Sequence, residues 1–190
     1  DVAPSRGLGD VYKRQSQRGK KLTALEGEQV RPTTDRVKES LFNILQFGIE
    51  GRRFLDLFAG SGQIGLEALS RGAGEAVFVD ASRDSVKVLE KNVAATGFQD
   101  RSQIVPGDYA VFLAGNSKPF DIAFLDPPYR KGILQKALPL TARQMNPGGV
   151  ILCEHPLGEE LPERAGEFQR GKSYRYGKIM LTVYRREEEA

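Results

Sequence analysis

The sequence predicts an α/β fold with a mainly parallel sheet, and two of its features carry that prediction. Short apolar stretches alternate with amphipathic segments between residues 54 and 153. An aspartate lies at or near the end of each of the first four stretches. Alternating strands and helices favour parallel strands joined by crossover helices. Polar residues at the carboxyl ends of such strands are typical of a ligand-binding edge.

The composition is that of one ordinary globular domain. The chain has 190 residues, of which 39% are hydrophobic and 28% charged, and its net charge is +3. These values suit a single domain over residues 18–186, and so small a net charge identifies no partner. With one cysteine and one histidine, the chain has no internal disulfide and no His-rich metal site, so no metal is expected. Because no apolar run has membrane length and no signal peptide is evident, we expect a cytoplasmic protein, and a monomer.

The two ends of the chain stand apart from this domain. Residues 1–17 show no apolar period and are expected to be disordered or foreign to the native protein. Residues 18–30 read as a short hairpin or loop punctuated by glycine. Residues 187–190 are expected to form a frayed acidic tail.

The first helix is predicted to begin within residues 31–34, where a threonine can accept hydrogen bonds from free backbone N–H groups. Apolar residues then recur at i, i+4, i+7 and i+8 from Val37, which is the spacing of one helix face. Gly48 is expected to end this helix.

Five strands and three further helices follow. We predict the strands over 54–58, 76–79, 102–105, 120–125 and 150–153. The helices are predicted over 64–69, around 86–93 and over 131–142. In the tail, residues 178–184 read as a strand that pairs with 170–176 as a terminal hairpin.

The turn after the first strand indicates a cofactor site. Asp56 precedes a turn that contains Gly60 and Gly62, and glycine allows the backbone to approach a ligand closely. An acid at this place would repel a pyrophosphate, but it can accept hydrogen bonds from a cationic amino group. The pattern therefore favours S-adenosylmethionine over NAD, although an ordinary strand-to-helix turn is the alternative.

The next two strands end on further acids. Asp80 comes 24 residues after Asp56 and can accept hydrogen bonds from two ribose hydroxyls. Asp108 can accept one from an adenine amino group, and Tyr109 can lie against the ring. Each aspartate can instead cap a helix, and Ser82 competes with Asp80 for that role. Three acids at three successive strand ends favour the nucleoside interpretation.

The segment Asp126-Pro127-Pro128-Tyr129 after the fourth strand carries the most specific chemistry. Two prolines stiffen the backbone and donate no hydrogen bond. The Asp126 carboxylate and the Pro127 carbonyl can therefore accept both protons of a planar NH₂ group and direct its lone pair at a methyl sulfonium. Tyr129 offers a face on which an unpaired base can stack. The alternative is a stiff loop with a capping aspartate.

Two basic segments are candidates for contact with RNA. Residues 12–21 hold five basic residues and residues 170–186 hold six, with no acid in either segment. Such segments suit phosphate contact, and Tyr174 and Tyr176 are interleaved in the second one. Two solvated basic faces are an equally good interpretation. His155 and Cys153 are expected near a strand end without a catalytic role.

These stretches together resemble the RsmD family of bacterial small-subunit ribosomal RNA methyltransferases. The similarity runs from residue 18 to about residue 185. It is carried by RPTTDRVKESLFNIL (31–45), FLDLFAGSGQIGLEALSRGA (54–73) and FLDPPYRKG (124–132). The resemblance implies a class I S-adenosylmethionine-dependent methyltransferase fold, Rossmann-like, with a mainly parallel seven-stranded sheet and a small N-terminal hairpin and helix extension.

The same resemblance implies methylation of a guanine N2 amino group in 16S ribosomal RNA of the small subunit. It implies Asp126 to Tyr129 as the catalytic loop and places residues 31–36 over the cofactor pocket. The cofactor-binding residues that it implies are Thr34, Arg36, Asp56, Phe58, Ala59, Gly60, Ser61, Gly62, Asp80, Ala81, Asp108 and Tyr109.

Two rival functions remain open at this point. An adenine-N6 DNA methyltransferase also acts on an NH₂ group, although the chain is short for a separate DNA-recognition domain. A non-catalytic RNA-binding or ribosome-assembly protein of the same fold would not need Asp126 or the glycine turn.

Overall fold

The computed structural model describes residues 32–129 and 132–187. The predicted N-terminal segment and hairpin (1–30), the first basic segment (12–21) and residues 188–190 of the predicted tail lie outside these ranges. None of the described helices is both long enough and apolar enough to cross a membrane.

The described residues form five α-helices, one short 3₁₀ helix (Gln99–Arg101) and eight strands. The helices are α1 (Pro32–Leu45), α2 (Gln63–Ser70), α3 (Arg83–Thr96), α4 (Tyr109–Gly115) and α5 (Ile133–Ala142). The strands are β1 (Arg53–Leu57), β2 (Glu75–Asp80), β3 (Ser102–Pro106), β4 (Phe120–Leu125), β5 (Met145–Pro156), β6 (Arg164–Ala165), β7 (Phe168–Tyr176) and β8 (Ile179–Arg186).

All eight strands belong to one sheet, in the order β3-β2-β1-β4-β5-β8-β7-β6. Strands β1 to β5 pair in parallel, whereas β8 runs antiparallel to β5 and to β7. The mainly parallel α/β prediction is therefore confirmed, and so is the terminal hairpin. The count of seven strands was short by one, because the two-residue strand β6 extends the edge beyond β7.

Side chains that alternate along the strands form a core on each face of the sheet. Phe54, Phe78 and Phe124 lie on one face together with apolar residues of α1, α2 and α3. Leu55, Val77 and Ala123 lie on the other face, against α4 and α5. Parallel strands covered on both faces are apolar at nearly every position, which explains why β1, β2 and β4 read as continuous apolar runs.

Several element boundaries differ from the prediction for local reasons. The fifth strand begins at Met145 rather than residue 150, so the Pro-Gly-Gly stretch at 147–149 lies inside a strand. A Cβ at Gly149 would lie 2.9 Å from the Asp121 carbonyl oxygen, so this approach of β4 requires glycine. Helix α4 was not predicted as an element, and it begins where the Asp108 side chain accepts hydrogen bonds from the Ala110 and Val111 N–H groups.

Gly62, at the start of α2, has φ of +82°, and a Cβ there would lie 2.2 Å from Cδ1 of the buried Leu89. We expect Gly62→Ala to lower the free energy of unfolding by about 3 kcal/mol, since left-handed strain and overpacking add. Gly97→Ala is the matched control, because Gly97 has φ of +74° with nothing near its absent Cβ. Urea denaturation measures both, and equal losses would show that contact with Leu89 is not the cause.

Candidate active site

The carboxyl ends of β1 to β5 open onto one cavity of about 810 Å³. Leu57 of β1 pairs with Leu125 of β4, so the loops that follow these two strands start side by side. The glycine turn and the Asp-Pro-Pro-Tyr loop both line this cavity. The residues of the two predicted sites thus line one cavity.

The turn after β1 has a strained backbone. Phe58 has φ of +71°, and among the described non-glycine residues it alone has a positive φ. The N–H groups of Phe58 and Ala59 both donate to the Val79 carbonyl oxygen, at 3.0 and 2.9 Å, which holds the turn to β2. A bulky residue in this conformation costs about 1–3 kcal/mol, and such strain concentrates at functional sites.

The Phe58 ring lies beside a second aromatic ring at the mouth of the turn. Its centroid is 5.1 Å from that of Tyr109, and the two planes are inclined by 53°. Both residues line the cavity. Burial, and then the charge of Asp108, raise the pKa of Tyr109, so its phenol stays neutral at physiological pH.

Asp56 is the buried acid of the site. Its side chain is 2% exposed, and its Oδ2 accepts a hydrogen bond of 3.0 Å from the Gly65 N–H in the first turn of α2. Burial raises the pKa of Asp56 to about 7; the Gly65 hydrogen bond opposes this rise and the charge of Asp80 adds to it. A cation that entered the cavity beside Asp56 would favour its ionised form.

Asp80 joins the glycine turn to the end of β2. Its Oδ2 accepts from the Gly60 N–H at 2.9 Å, and its Oδ1 accepts from the Ser82 N–H at 2.8 Å. Ser82, not Asp80, is the N-cap of α3, because its side chain accepts from the Ser85 N–H. Each carboxylate oxygen can accept a second hydrogen bond, so Asp80 keeps acceptor capacity toward a ligand.

Asp108 takes the capping role that was its alternative interpretation. Its Oδ1 accepts from two N–H groups of α4, at 2.8 Å from Ala110 and 3.1 Å from Val111. Asp108 nevertheless lines the cavity together with Ala81 and Gly107. Both capping bonds fall on one oxygen, so the cap and a contact to a ligand through Oδ2 are compatible.

The loop after β4 forms the opposite wall. Asp126, Pro127, Pro128 and Tyr129 all line the cavity; Pro127 is buried, whereas the Tyr129 side chain is 42% exposed. The Tyr129 hydroxyl donates to Glu154 over 3.5 Å. An exposed ring at the rim of a cavity is well placed to receive a flat group from solvent.

Three predicted cofactor residues lie elsewhere or are not described. Arg36 is exposed on α1, and the residues of that helix that line the cavity are Asp35, Val37, Lys38 and Leu41. Thr34 falls within α1, but its side chain lies outside the described residues. Gly62 faces Leu89 and Phe78 beneath the turn rather than the cavity.

Glu154 is the main residue that sequence reasoning missed. It follows Cys153 on β5, lines the cavity and contacts both Asp126 and Tyr129. The signal was available, since an acid at a strand end was the rule that selected Asp80 and Asp108. Ile133 and Ile179 also line the cavity, and no motif singled them out.

The second basic segment divides between the two faces of the terminal hairpin. Tyr174 and Tyr176 are half-buried against the core, and the Tyr176 hydroxyl donates to Ser40 of α1, so these rings are not an open stacking surface. Arg175 and Lys178 are exposed beside the β7–β8 turn. That turn lies at the cavity edge, because Ile179 pairs with Pro156 at the end of β5 and lines the cavity.

His155 and Cys153 are both buried. The His155 Nε2 lies 2.7 Å from the Thr182 hydroxyl, and burial lowers the pKa of His155. Burial raises the pKa of Cys153, so its thiol stays protonated. Both residues lie in the second half of β5, near the end of that strand, where the sequence placed them.

Comparison with known proteins finds similar chains. A family model described as Conserved hypothetical protein 95 matches residues 15–185. The ribosomal RNA small subunit methyltransferase D of Escherichia coli (strain K12) is 35% identical over 174 residues, covering 90% of this chain and 87% of that protein. Its namesake in Haemophilus influenzae is 37% identical over 142 residues, covering 72% of this chain and 74% of the relative.

Solved structures agree as well. The yhhF protein of Escherichia coli superposes with a TM-score of 0.80 at 35% identity, covering 90% of this chain and 94% of that one. The class I S-adenosylmethionine-dependent methyltransferase fold is therefore confirmed. The matched model, the identity over most of the chain and the shared fold together show that this chain belongs to the RsmD family.

Proposed function

We propose that this protein transfers a methyl group from S-adenosylmethionine to the exocyclic N2 amino group of a guanine in 16S ribosomal RNA. The observation that carries the proposal is the single cavity shared by the glycine turn and the Asp-Pro-Pro-Tyr loop. A donor held by the first and a base held by the second would meet inside it. The small-subunit rRNA methyltransferases of the same family support the RNA substrate.

The donor half of the cavity fits the cofactor. Asp56 would accept from the cationic amino group of its methionine end, and Asp80 from its ribose hydroxyls. Asp108 Oδ2 would accept from the adenine amino group, while the Phe58 and Tyr109 rings pack beside the adenine. When bound, the cofactor supplies an electrophilic methyl group on a positively charged sulfur.

The acceptor half fits a flipped base. The Asp126 carboxylate and the Pro127 carbonyl would accept both protons of an NH₂ group, and Tyr129 would stack on the base plane. The amino nitrogen loses one proton as it gains the methyl, and Asp126 is placed to accept that proton. Since the sulfonium releases a neutral thioether, which is a good leaving group, alignment supplies most of the acceleration, and no metal is required.

The charged residues that line the cavity are mainly acidic, whereas basic residues lie at its rim. Six acids line the cavity against one lysine, Lys38. An acidic interior attracts a cationic donor and repels phosphate, so the RNA backbone would remain outside. Arg175 and Lys178 at the β7–β8 turn are exposed at the same edge and would contact that backbone. We propose that the protein acts as a cytoplasmic monomer on the small subunit or its RNA.

A methylation assay on four substrates tests this function. Purified protein and labelled donor are incubated with 16S RNA, assembled small subunits, duplex DNA and an unrelated RNA, and the modified nucleoside is identified by mass spectrometry. We expect N2-methylguanine in 16S RNA or in the subunit. N6-methyladenine in DNA would establish the rival enzyme, and RNA binding without any methylation would establish the assembly-protein alternative.

A further inference from the structure

A second carboxyl group lies next to the proposed amine-binding acid. Leu125 of β4 pairs with Cys153 of β5, so Asp126, directly after β4, lies beside Glu154 of β5. The Glu154 side chain is hydrogen-bonded to the Asp126 side chain, and its Oε1 lies 3.5 Å from the Tyr129 hydroxyl. Glu154 thus touches both ends of the loop that would hold the base.

The groups around Glu154 set its protonation. Asp126 and Tyr129 face it from the loop after β4, and Asp35 and Lys38 of α1 line the same cavity. On β8 its partner is the apolar Leu181, while His155 is bonded to Thr182. Burial raises the pKa of Glu154 to about 7, and the hydrogen bonds with Tyr129 and Asp126 oppose that rise.

The bases that carry an exocyclic NH₂ group differ at the neighbouring ring nitrogen. In guanine, the NH₂ at C2 lies beside N1–H, which is a donor. In adenine, the NH₂ at C6 lies beside an unprotonated N1, which is an acceptor. Asp126 and the Pro127 carbonyl would accept from either NH₂ group, so they cannot distinguish the two bases. An acceptor beside them can, because it pairs with N1–H and repels a bare N1.

We propose that Glu154 reads the base: its carboxylate accepts the N1–H of guanine while Asp126 holds the N2 amino group. This specificity role rests on the proposed function and deepens it. Glu154 is the acid adjoining Asp126, and its contact with Tyr129 places it at the edge of a base stacked on that ring. Adenine would present its N1 lone pair to a carboxylate, which excludes it.

The test uses two bases that both carry the N2 amino group, of which only one has the N1–H. RNA substrates carry either guanine or 2-aminopurine at the modified position; 2-aminopurine keeps the N2 amino group but has an unprotonated N1. Single-turnover rates are measured for the wild type, Glu154→Gln and the control Glu163→Gln, an exposed acid outside the cavity. Donor affinity and thermal unfolding are measured for each protein.

We expect the wild type and the control to prefer guanine over 2-aminopurine by about 100-fold or more, as for a site built to pair with one hydrogen-bond donor. Glu154→Gln should lose most of that preference, because its amide can donate to a bare N1, while its donor affinity stays unchanged. At saturating donor, the wild-type rate on guanine should rise with pH through about 7, where Glu154 ionises, and the variant rate should not.

Two results would overturn the role of Glu154 without affecting the proposed function. One is equal wild-type rates on guanine and 2-aminopurine, and the other is a Glu154→Gln variant that slows both substrates by the same factor. If the wild type methylates neither RNA but methylates adenine in DNA, the proposed function itself is wrong, and the role of Glu154 as a reader of guanine is wrong with it.

Discussion

Replacing Asp126 with alanine should lower the single-turnover methylation rate by about 10³-fold, because the variant loses a preorganised acceptor that acts where charge changes in the transition state. Asp126 lies at the end of β4, on the cavity wall opposite the glycine turn. The dissociation constant of the donor should stay within about twofold, since the donor half of the cavity is intact. Rapid-quench assays with labelled donor and isothermal titration calorimetry measure the two quantities.

Asp100→Ala is the matched control for this variant. Asp100 is an exposed aspartate on the 3₁₀ helix that precedes β3, and so lies at the opposite end of the strands from the cavity. It should leave both the rate and the affinity unchanged. An Asp126→Ala enzyme with normal turnover, or one that loses donor binding to the same degree as rate, would contradict a role in orienting the amine.

Replacing Asp56 with asparagine should weaken donor binding by about 100-fold at pH 8, because the ammonium group loses a charge-assisted hydrogen bond worth about 2–3 kcal/mol. The same change should stabilise the unliganded protein at that pH. Burial raises the pKa of Asp56 from its ordinary 3.8 to about 7. In asparagine the bond from the Gly65 N–H is kept without the charge.

The sign of the pH dependence follows from this raised pKa. The unfolded chain ionises Asp56 near pH 4, whereas the folded chain holds the proton until about pH 7. This carboxyl therefore lowers the free energy of unfolding progressively between pH 4 and 7, by about 4 kcal/mol once both states are ionised. Urea denaturation of both proteins at pH 5 and pH 8 measures the effect.

The wild type should lose more stability than Asp56→Asn between those two pH values, by about 2.5 kcal/mol, because the rest of the loss of about 4 kcal/mol is already present at pH 5. Donor affinity of the wild type should rise over the same range, because binding no longer has to displace a proton. Parallel stability profiles for the two proteins would show that Asp56 is ionised throughout, and unchanged donor affinity would remove its role at the methionine end.

The chain itself determines where its strands end and which polar groups stand there. Strands β1, β2 and β4 are buried on both faces, so their continuous apolar runs identified them as strands before their neighbours in the sheet were known. Helix α3 begins after the N-cap Ser82 and ends before Gly97, and both boundaries could be predicted from the sequence because each depends on local backbone chemistry. Once parallel strands are inferred, the topology brings Asp56, Asp80 and Asp126 to one edge, which is why most of the cavity wall was predictable.

Tertiary structure decided which of those groups touch. The contact between Asp126 and Glu154 depends on the register of β4 with β5, and no local pattern fixes the pairing of strands 28 residues apart. The left-handed conformation of Phe58 depends on the Val79 carbonyl of β2. Arg36 and Lys38 lie two residues apart on α1, and only the docking of that helix turned Lys38 toward the cavity. Sequence specifies the chemical groups, whereas burial and register across distant segments set their contacts and their pKa values.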